Sequence, residues 1–315
     1  MEPLIMNISV LNNQIILIFL LMLVGVLINK IGFMHPQTAN DLTNILLNIV
    51  SPCLIINAFE QSYSADRVQQ LLLAGLGIIA FYLIEILLAS IFFKKVKDSN
   101  LQRIYKYGSI FSNAGFMGIP LVSSLFGKMG VFFAVVSLAG FNIFNWTYGL
   151  SLFNKDKSNI KKLSRLKTVL LNPNIISIFL GLILFIFSVS LPSTISQTVK
   201  YVGSINTPLS MIVIGNSLGN IKIQKEAKSL GIWLTVFLRN ILFPILAIVV
   251  LEFLGVSGVA LDTTVIMMAC PVAGIVVLFT LQNKDDVSPA ITLMGISTIL
   301  SLITIPIVFY LIPYI

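Results

Sequence analysis

The sequence predicts an all-α polytopic membrane protein. Ten transmembrane helices form an inverted five-plus-five repeat, and the fourth and ninth are broken. Three observations predict this. First, 57% of the 315 residues are hydrophobic, only 10% are charged, and the mean hydropathy is +0.98. A water-soluble domain of this length needs far more charge to cover its surface. Second, two long apolar runs are interrupted by helix breakers, at Ser112–Leu121 (SNAGFMGIPL, with Gly115, Gly118 and Pro120) and at Ala269–Gly274 (ACPVAG, with Pro271). Glycine weakens a helix interior and proline removes a backbone donor. In lipid such a break is tolerated where the freed groups are buried in protein or face a wet cavity. Third, landmarks recur at one spacing. Pro52 and Pro208 stand 156 residues apart, Pro120 and Pro271 stand 151 apart, and Glu85 and Arg239 stand 154 apart. A recurring offset near half the chain marks an internal repeat. Five spans is an odd number, so the second copy enters the membrane from the opposite side.

Taken in order, the first segment runs from about Gln14 to Ile31. The chain before it, MEPLIMNISVLNNQ, has no Lys or Arg and no cleavage motif follows, so the first helix is expected to be retained. The second, Ala39–Phe59, is less apolar: Asn40, Asn44, Asn48 and Ser51 recur at helical steps on one face, followed by Pro52. The third, Val68–Phe93, contains Glu85, and the fourth, Ile104–Phe126, carries the first break. The fifth, Gly130–Phe153, places Asn142, Asn145 and Gly149 on one face. After the basic loop NKDKSNIKKLSRLK come the sixth segment, Pro173–Ser190, and the seventh, Thr198–Leu218, which contains Asn206, Thr207 and Pro208. The eighth, Leu230–Leu254, contains Arg239 and Pro244, the ninth, Thr263–Leu281, carries the second break, and the tenth is Pro289–Tyr310. The expected units are residues 1–153, a cytoplasmic loop at 154–167, and residues 168–315.

Loop charge sets the expected orientation. Sixteen Lys and Arg fall in loops on one side of the membrane, against Arg67, Lys128 and Lys200 on the other. The positive-inside rule then puts both termini outside and the central loop in the cytoplasm. The net charge of +8 is therefore no nucleic-acid signal.

The chain contains no phosphate-binding glycine motif, no HExxH, no CxxC and no paired carboxylates within a span. The lone His35 sits in a loop, and Cys53 and Cys270 read as small packing residues beside prolines. Neither an enzyme nor an ATP-driven pump is expected, because no soluble stretch is long enough to fold as a nucleotide domain. A carrier, a channel, an anion receptor or a structural membrane protein remains. No cofactor is expected, and coupling to H⁺ or Na⁺ stays open.

A half-helix ending at the membrane midplane offers unpaired N–H groups and a positive dipole end, which suit an anion. The candidate substrate site therefore gathers Asn113, Gly115, Gly118, Pro120, Cys270, Pro271 and Ala273 at the breaks. Asn48, Ser51, Asn206 and Thr207, beside the prolines of segments two and seven, add polar contacts. Asn113 abuts the break and favours a ligand role. For Asn40, Asn44 and Asn48, helix packing and cavity lining stand equal. Glu85 and Arg239 are lone charges deep in apolar runs. They read either as a static ion pair or as a coupling-ion site.

At SNAGFMGIPL, NTPLSMIVIGNSLG and ACPVAG the chain resembles the auxin efflux carrier family, which includes plant PIN carriers and bacterial malate permease-like proteins. The short central loop resembles the bacterial branch. The resemblance implies an elevator-like secondary carrier of a small organic anion such as malate, in the cytoplasmic membrane. It implies a scaffold of segments one, two, six and seven, with a homodimer through the second and seventh helices. It also implies a mobile domain of segments three to five and eight to ten, broken helices crossing at Pro120 and Pro271, and substrate contact by Asn113. A cation/proton exchanger or an anion channel on a similar fold is the alternative. An exchanger would want an aspartate deep in the membrane, and the only aspartate in a predicted span is Asp41, at the very start of the second.

Overall fold

The computed structural model describes residues 8–153, 170–220 and 225–314. The basic loop at 154–167 lies outside the described residues, as does the extreme N-terminus. Among the described residues the secondary structure is helical, with one isolated antiparallel bridge, Ser112 to Val272, and no strand. Twelve helices are numbered in chain order: α1 (Ile8–Ile31), α2 (Pro36–Phe59), α3 (Ala65–Phe92), α4 (Ser99–Ile110), α5 (Ala114–Phe153), α6 (Pro173–Ile186), α7 (Ser193–Ser204), α8 (Asn206–Gly219), α9 (Leu230–Phe253), α10 (Gly258–Ala269), α11 (Ile275–Gln282) and α12 (Ser288–Leu311). Helices α2, α3, α5, α9 and the run Ser288–Tyr314 are long and apolar enough to cross a membrane, while Ile16–Ile31, α6 and α10 are shorter apolar helices.

Local signals start and stop these helices. Asp98 accepts the N–H groups of Asn100 and Leu101 at 2.8 and 2.9 Å to open α4, and Asn172 accepts that of Asn174 at 2.9 Å to open α6. At the end of α9, Gly255 takes φ +80° and the Val256 N–H reaches back to Leu251 O at 3.0 Å, the αL stop that glycine permits. Segments four and five of the sequence meet inside α5. There Gly127 (φ 57°, ψ −140°) turns the backbone and separates an arm at 114–126 from an arm at 128–153.

Three prolines that should break helices do not. A widened turn, with hydrogen bonds spanning five residues, ends two residues before each: Leu46–Val50 before Pro52, Ala114–Gly118 before Pro120, and Leu238–Leu242 before Pro244. A proline ring clashes with the carbonyl four residues back, and one extra residue in the turn moves that carbonyl away. Pro120 is thus not a point of unwinding. The chain unwinds upstream, at residues 111–113.

Helix α1 lies along α8 at backbone contact. A Cβ on Gly215 would stand 1.9 Å from Met22 O, and one on Gly25 would stand 2.1 Å from Ile212 O. Gly215 and Gly219 are four apart, the small-residue spacing that lets membrane helices touch, and Asn29 Nδ2 donates to Asn216 Oδ1 at 3.0 Å beside them. The second half of α2 packs on α6 and α7, and α10 packs on α5.

Candidate functional site

The two unwound stretches cross as a pair of short extended strands. Phe111 leaves α4 with φ −98° and ψ 111°, and Cys270 leaves α10 with φ −60° and ψ 148°. The second departure has a local cause, since a residue before proline is pushed away from the helical region and Pro271 follows Cys270. No such cause acts at Phe111; its extended backbone is held by the partner strand. Asn113 N–H donates to Pro271 O at 2.7 Å, and Ala273 N–H donates to Phe111 O at 2.9 Å. The N–H of Val272 donates to Ser297 Oγ at 3.0 Å, and that hydroxyl donates to Asn240 Oδ1 at 2.7 Å, so α12 and α9 pin the second strand.

Four helix ends meet here, and their charges are treated unequally. The C-terminal ends of α4 and α10 carry free carbonyls and the negative end of the helix dipole. Arg239, fully buried, answers both. Its Nη1 donates to Ile110 O at 2.6 Å and Ser109 O at 3.2 Å, and its Nη2 donates to Met268 O. Nη1 also meets Glu85 Oε1 at 3.0 Å, an ion pair with neither side chain exposed. The N-terminal ends of α5 and α11 carry the positive dipole ends. Neither Asn113 nor Gly274, the residues preceding them, makes a side-chain capping bond. Ser112 Oγ, buried on the crossing, has no hydrogen-bond partner among the described residues.

The other predicted residues fall around this centre. A Cβ on Gly118 would lie 2.6 Å from Met267 Sδ and 3.3 Å from Cys270 Sγ, so the start of α5 rests on the second break. Gly115 is open, with Leu138 Cδ1 nearest at 3.7 Å. Asn206 Nδ2 donates to Ser51 Oγ at 2.9 Å, and Thr207 Oγ1 donates to Pro120 O at 3.4 Å. Ser51, Asn206, Thr207 and Pro120 therefore form one polar line from α2 through α8 to α5. Asn48 does not join it: it is exposed, and its amide donates to Asn44 O of its own helix at 2.8 Å. The implied crossing at Pro120 and Pro271 is corrected on one side. Pro271 O does pair across the crossing, but its partner is Asn113, seven residues before Pro120. The sequence reading missed Ser112, Asn240 and Ser297. Their signal is a polar side chain inside an apolar run, but Ser112 and Ser297 are small enough to pass as ordinary packing residues.

Comparison with known proteins points to membrane transport. The chain is 26% identical over 304 residues to an uncharacterised transporter of Methanocaldococcus jannaschii, covering 93% of this chain and 96% of the relative. It is 24% identical over 298 residues to an uncharacterised transporter of Methanothermobacter thermautotrophicus, with the same coverage of each chain. The profile of the family described as "Membrane transport protein" matches residues 10–309. With nearly the whole chain matched, the protein belongs to that membrane transport family, the one that the motif SNAGFMGIPL marks as the auxin efflux carriers.

Proposed function

We propose that the protein is a secondary carrier that moves a small carboxylate of about malate size across the cytoplasmic membrane, binding it at the crossing in front of Asn113. One observation carries this reading. The Arg239 guanidinium, paired with Glu85, donates to the last carbonyls of α4 and α10 and so satisfies their C-terminal ends, while no side chain caps the start of α5. What the crossing leaves open to a ligand is the positive dipole end and the first N–H groups of α5, the complement of a carboxylate. A cation exchanger would need the opposite balance.

The reciprocal packing of α1 with α8 and of α2 with α6 supports an inverted repeat of 1–153 and 168–315. So do two buried contacts between residues almost equally separated in the chain, Ser51 with Asn206 at 155 and Glu85 with Arg239 at 154. Elevator motion is supported by the way Arg239 ties α3, α4, α9 and α10 into one block. That block, with α5 and α12, would slide against α1, α2 and α6–α8, with both termini outside. A homodimer would use the exposed apolar residues Ile45 and Ile49 of α2 and Ile195 and Tyr201 of α7.

In proteoliposomes, saturable uptake of a mono- or dicarboxylate, competed by its analogues, is expected. A panel of organic anions giving neither flux nor binding above empty liposomes would sink the proposal. Asn113→Ala is expected to weaken substrate binding by roughly one to two decades, the loss of one hydrogen bond to a charged group at about 1.5–3 kcal/mol. Unchanged affinity in a folded Asn113→Ala protein would return Asn113 to a structural role.

A further inference from the structure

Two basic stretches from opposite halves of the sequence meet at one end of the protein. One is the turn after α3, where Lys94, Lys95 and Lys97 follow Phe93. The other is the single 3₁₀ turn Lys225–Lys228, just before α9. Aromatic packing joins them. Phe93 is buried with its ring 5.6 Å from that of Tyr105 in α4, and the Tyr105 hydroxyl lies 3.0 Å from Ser229 Oγ. Gly231 lets α9 close on the same ring, since a Cβ there would stand 2.7 Å from Tyr105 Cζ. Both stretches are held in place. Gln102 Nε2 donates to the carbonyls of Phe93 and Val96 at 2.9 and 3.4 Å, and the Trp233 indole N–H donates to Ala227 O at 2.8 Å.

Charge and apolar surface are sorted at this junction. Lys94, Lys95, Lys97, Lys225 and Lys228 are all exposed, and among the described residues none of them forms an ion pair. The carboxylates of the same stretches are Asp98, which caps α4, and Glu226, so positive charge is in excess. On the helix side the surface turns apolar at once. Ile91 and Phe92 are exposed just before the first lysines, and Leu230, 83% exposed, and Trp233, 47% exposed, come just after the last. The contact through Phe93, Tyr105 and Ser229 sets the two boundaries level. Lysines over bare apolar side chains, with a tryptophan between, match headgroups over acyl chains. A soluble acidic partner would leave the apolar row uncovered. The positive-inside rule asks only that lysines lie in loops on this side, not that two distant loops be packed together.

We infer that Lys94, Lys95, Lys97, Lys225 and Lys228 form a docking surface for the headgroups of anionic phospholipids in the leaflet beside these loops. Each lysine close to an anionic membrane surface strengthens the attraction about fivefold. An ammonium on a flexible stem suits a phosphate in a fluid layer, where a point charge serves better than a rigid fork. The two stretches end α3 and precede α9, the helices that the Glu85–Arg239 pair ties together, so the docked lipids hold that block. The inference rests on membrane insertion and not on the carrier reading.

Trp233 reports on the site directly, because in a Trp146→Phe protein it is the only tryptophan. The protein is reconstituted in phosphatidylcholine vesicles. A minor fraction of the lipid is replaced by phosphatidylglycerol brominated in its acyl chains, or by equally brominated phosphatidylcholine, since bromine quenches an indole that it touches. Quenching is expected to report a preference of at least about fivefold for phosphatidylglycerol, the effect of one lysine. Raising the salt from about 0.1 to 1 M shrinks the screening length from about 10 to 3 Å and should remove most of that preference. Replacing all five, as Lys94→Gln, Lys95→Gln, Lys97→Gln, Lys225→Gln and Lys228→Gln, should abolish it. Lys128→Gln, exposed beside the bend at the other end of the first arm of α5, should leave it intact. Equal quenching by the two lipids in the Trp146→Phe protein would overturn the inference. So would a preference that survives high salt, or one that persists in a folded protein lacking the five lysines. If that variant does not purify folded, the salt result decides.

Discussion

Arg239→Gln is expected to lower the stability of the folded protein by about 3–5 kcal/mol, the cost of stranding a buried charge by removing its partner. Glu85→Gln should cost a comparable amount for the same reason, since neither side chain has access to solvent. The two losses should not add. With both members gone no charge is left uncompensated, so the double variant should recover part of the sum; coupling of that kind is what direct contact requires. Recovery should also be incomplete. Arg239 holds the carbonyls of Ser109, Ile110 and Met268 as well as Glu85, and a glutamine amide cannot replace all those bonds. Reversible unfolding in mixed micelles measures all four corners of the cycle. Simple additivity would mean that the ion pair contributes nothing as a pair. Glu85 Oε2 has no partner among the described residues, which leaves it a candidate for proton coupling. Transport by a stable Glu85→Gln protein with unaltered pH dependence would remove that candidacy.

Gly215→Leu is expected to separate α1 from α8 and to abolish recovery of monodisperse protein. The obstacle is main chain: a Cβ at this position meets the Met22 carbonyl oxygen at 1.9 Å and its carbon at 2.7 Å, and neither can rotate aside. Gly215→Ala alone should cost roughly 1–3 kcal/mol, the usual range for overpacking, and leucine more. Gly115→Ala is the control, because its new methyl group would meet only Leu138 at an ordinary 3.7 Å. Melting temperatures of the purified variants would rank them. A Gly215→Leu protein as stable as Gly115→Ala would show that α1 and α8 are not pressed together.

The features legible in the sequence are those with a local chemical cause. Pro271 marks the second break because it forces Cys270 out of the helix, an effect one residue long. Glu85 and Arg239 stand out because charge is rare in apolar runs. The first break lies several residues from its visible marker because its cause is distant. Residues 111–113 are held out of the helix by pairing with residues 271–273, while Pro120, the visible breaker, is absorbed by a widened turn. A similar turn explains Asn48. An extra residue within Leu46–Val50 rotates the remainder of α2 by about 100°, so Ser51 turns inward to Asn206 while Asn48, one turn earlier, stays outside. The spacing of Gly215 and Gly219 is readable, but nothing local names α1 as the partner.

The reach of Arg239 also bears on biogenesis. The carbonyls of Ser109 and Ile110 and the carboxylate of Glu85 enter the membrane with the first half of the chain, and the group that satisfies them is synthesised only with the second. During translation the helices up to α5 must therefore wait, with one helix end frayed and one carboxylate unanswered, until α9 is inserted. Neither half can complete its broken helix alone. A chain cut in the central loop should accumulate only when both fragments are made together, and quality-control proteases would have the longest opportunity to act while ribosomes translate the stretch between α5 and α9.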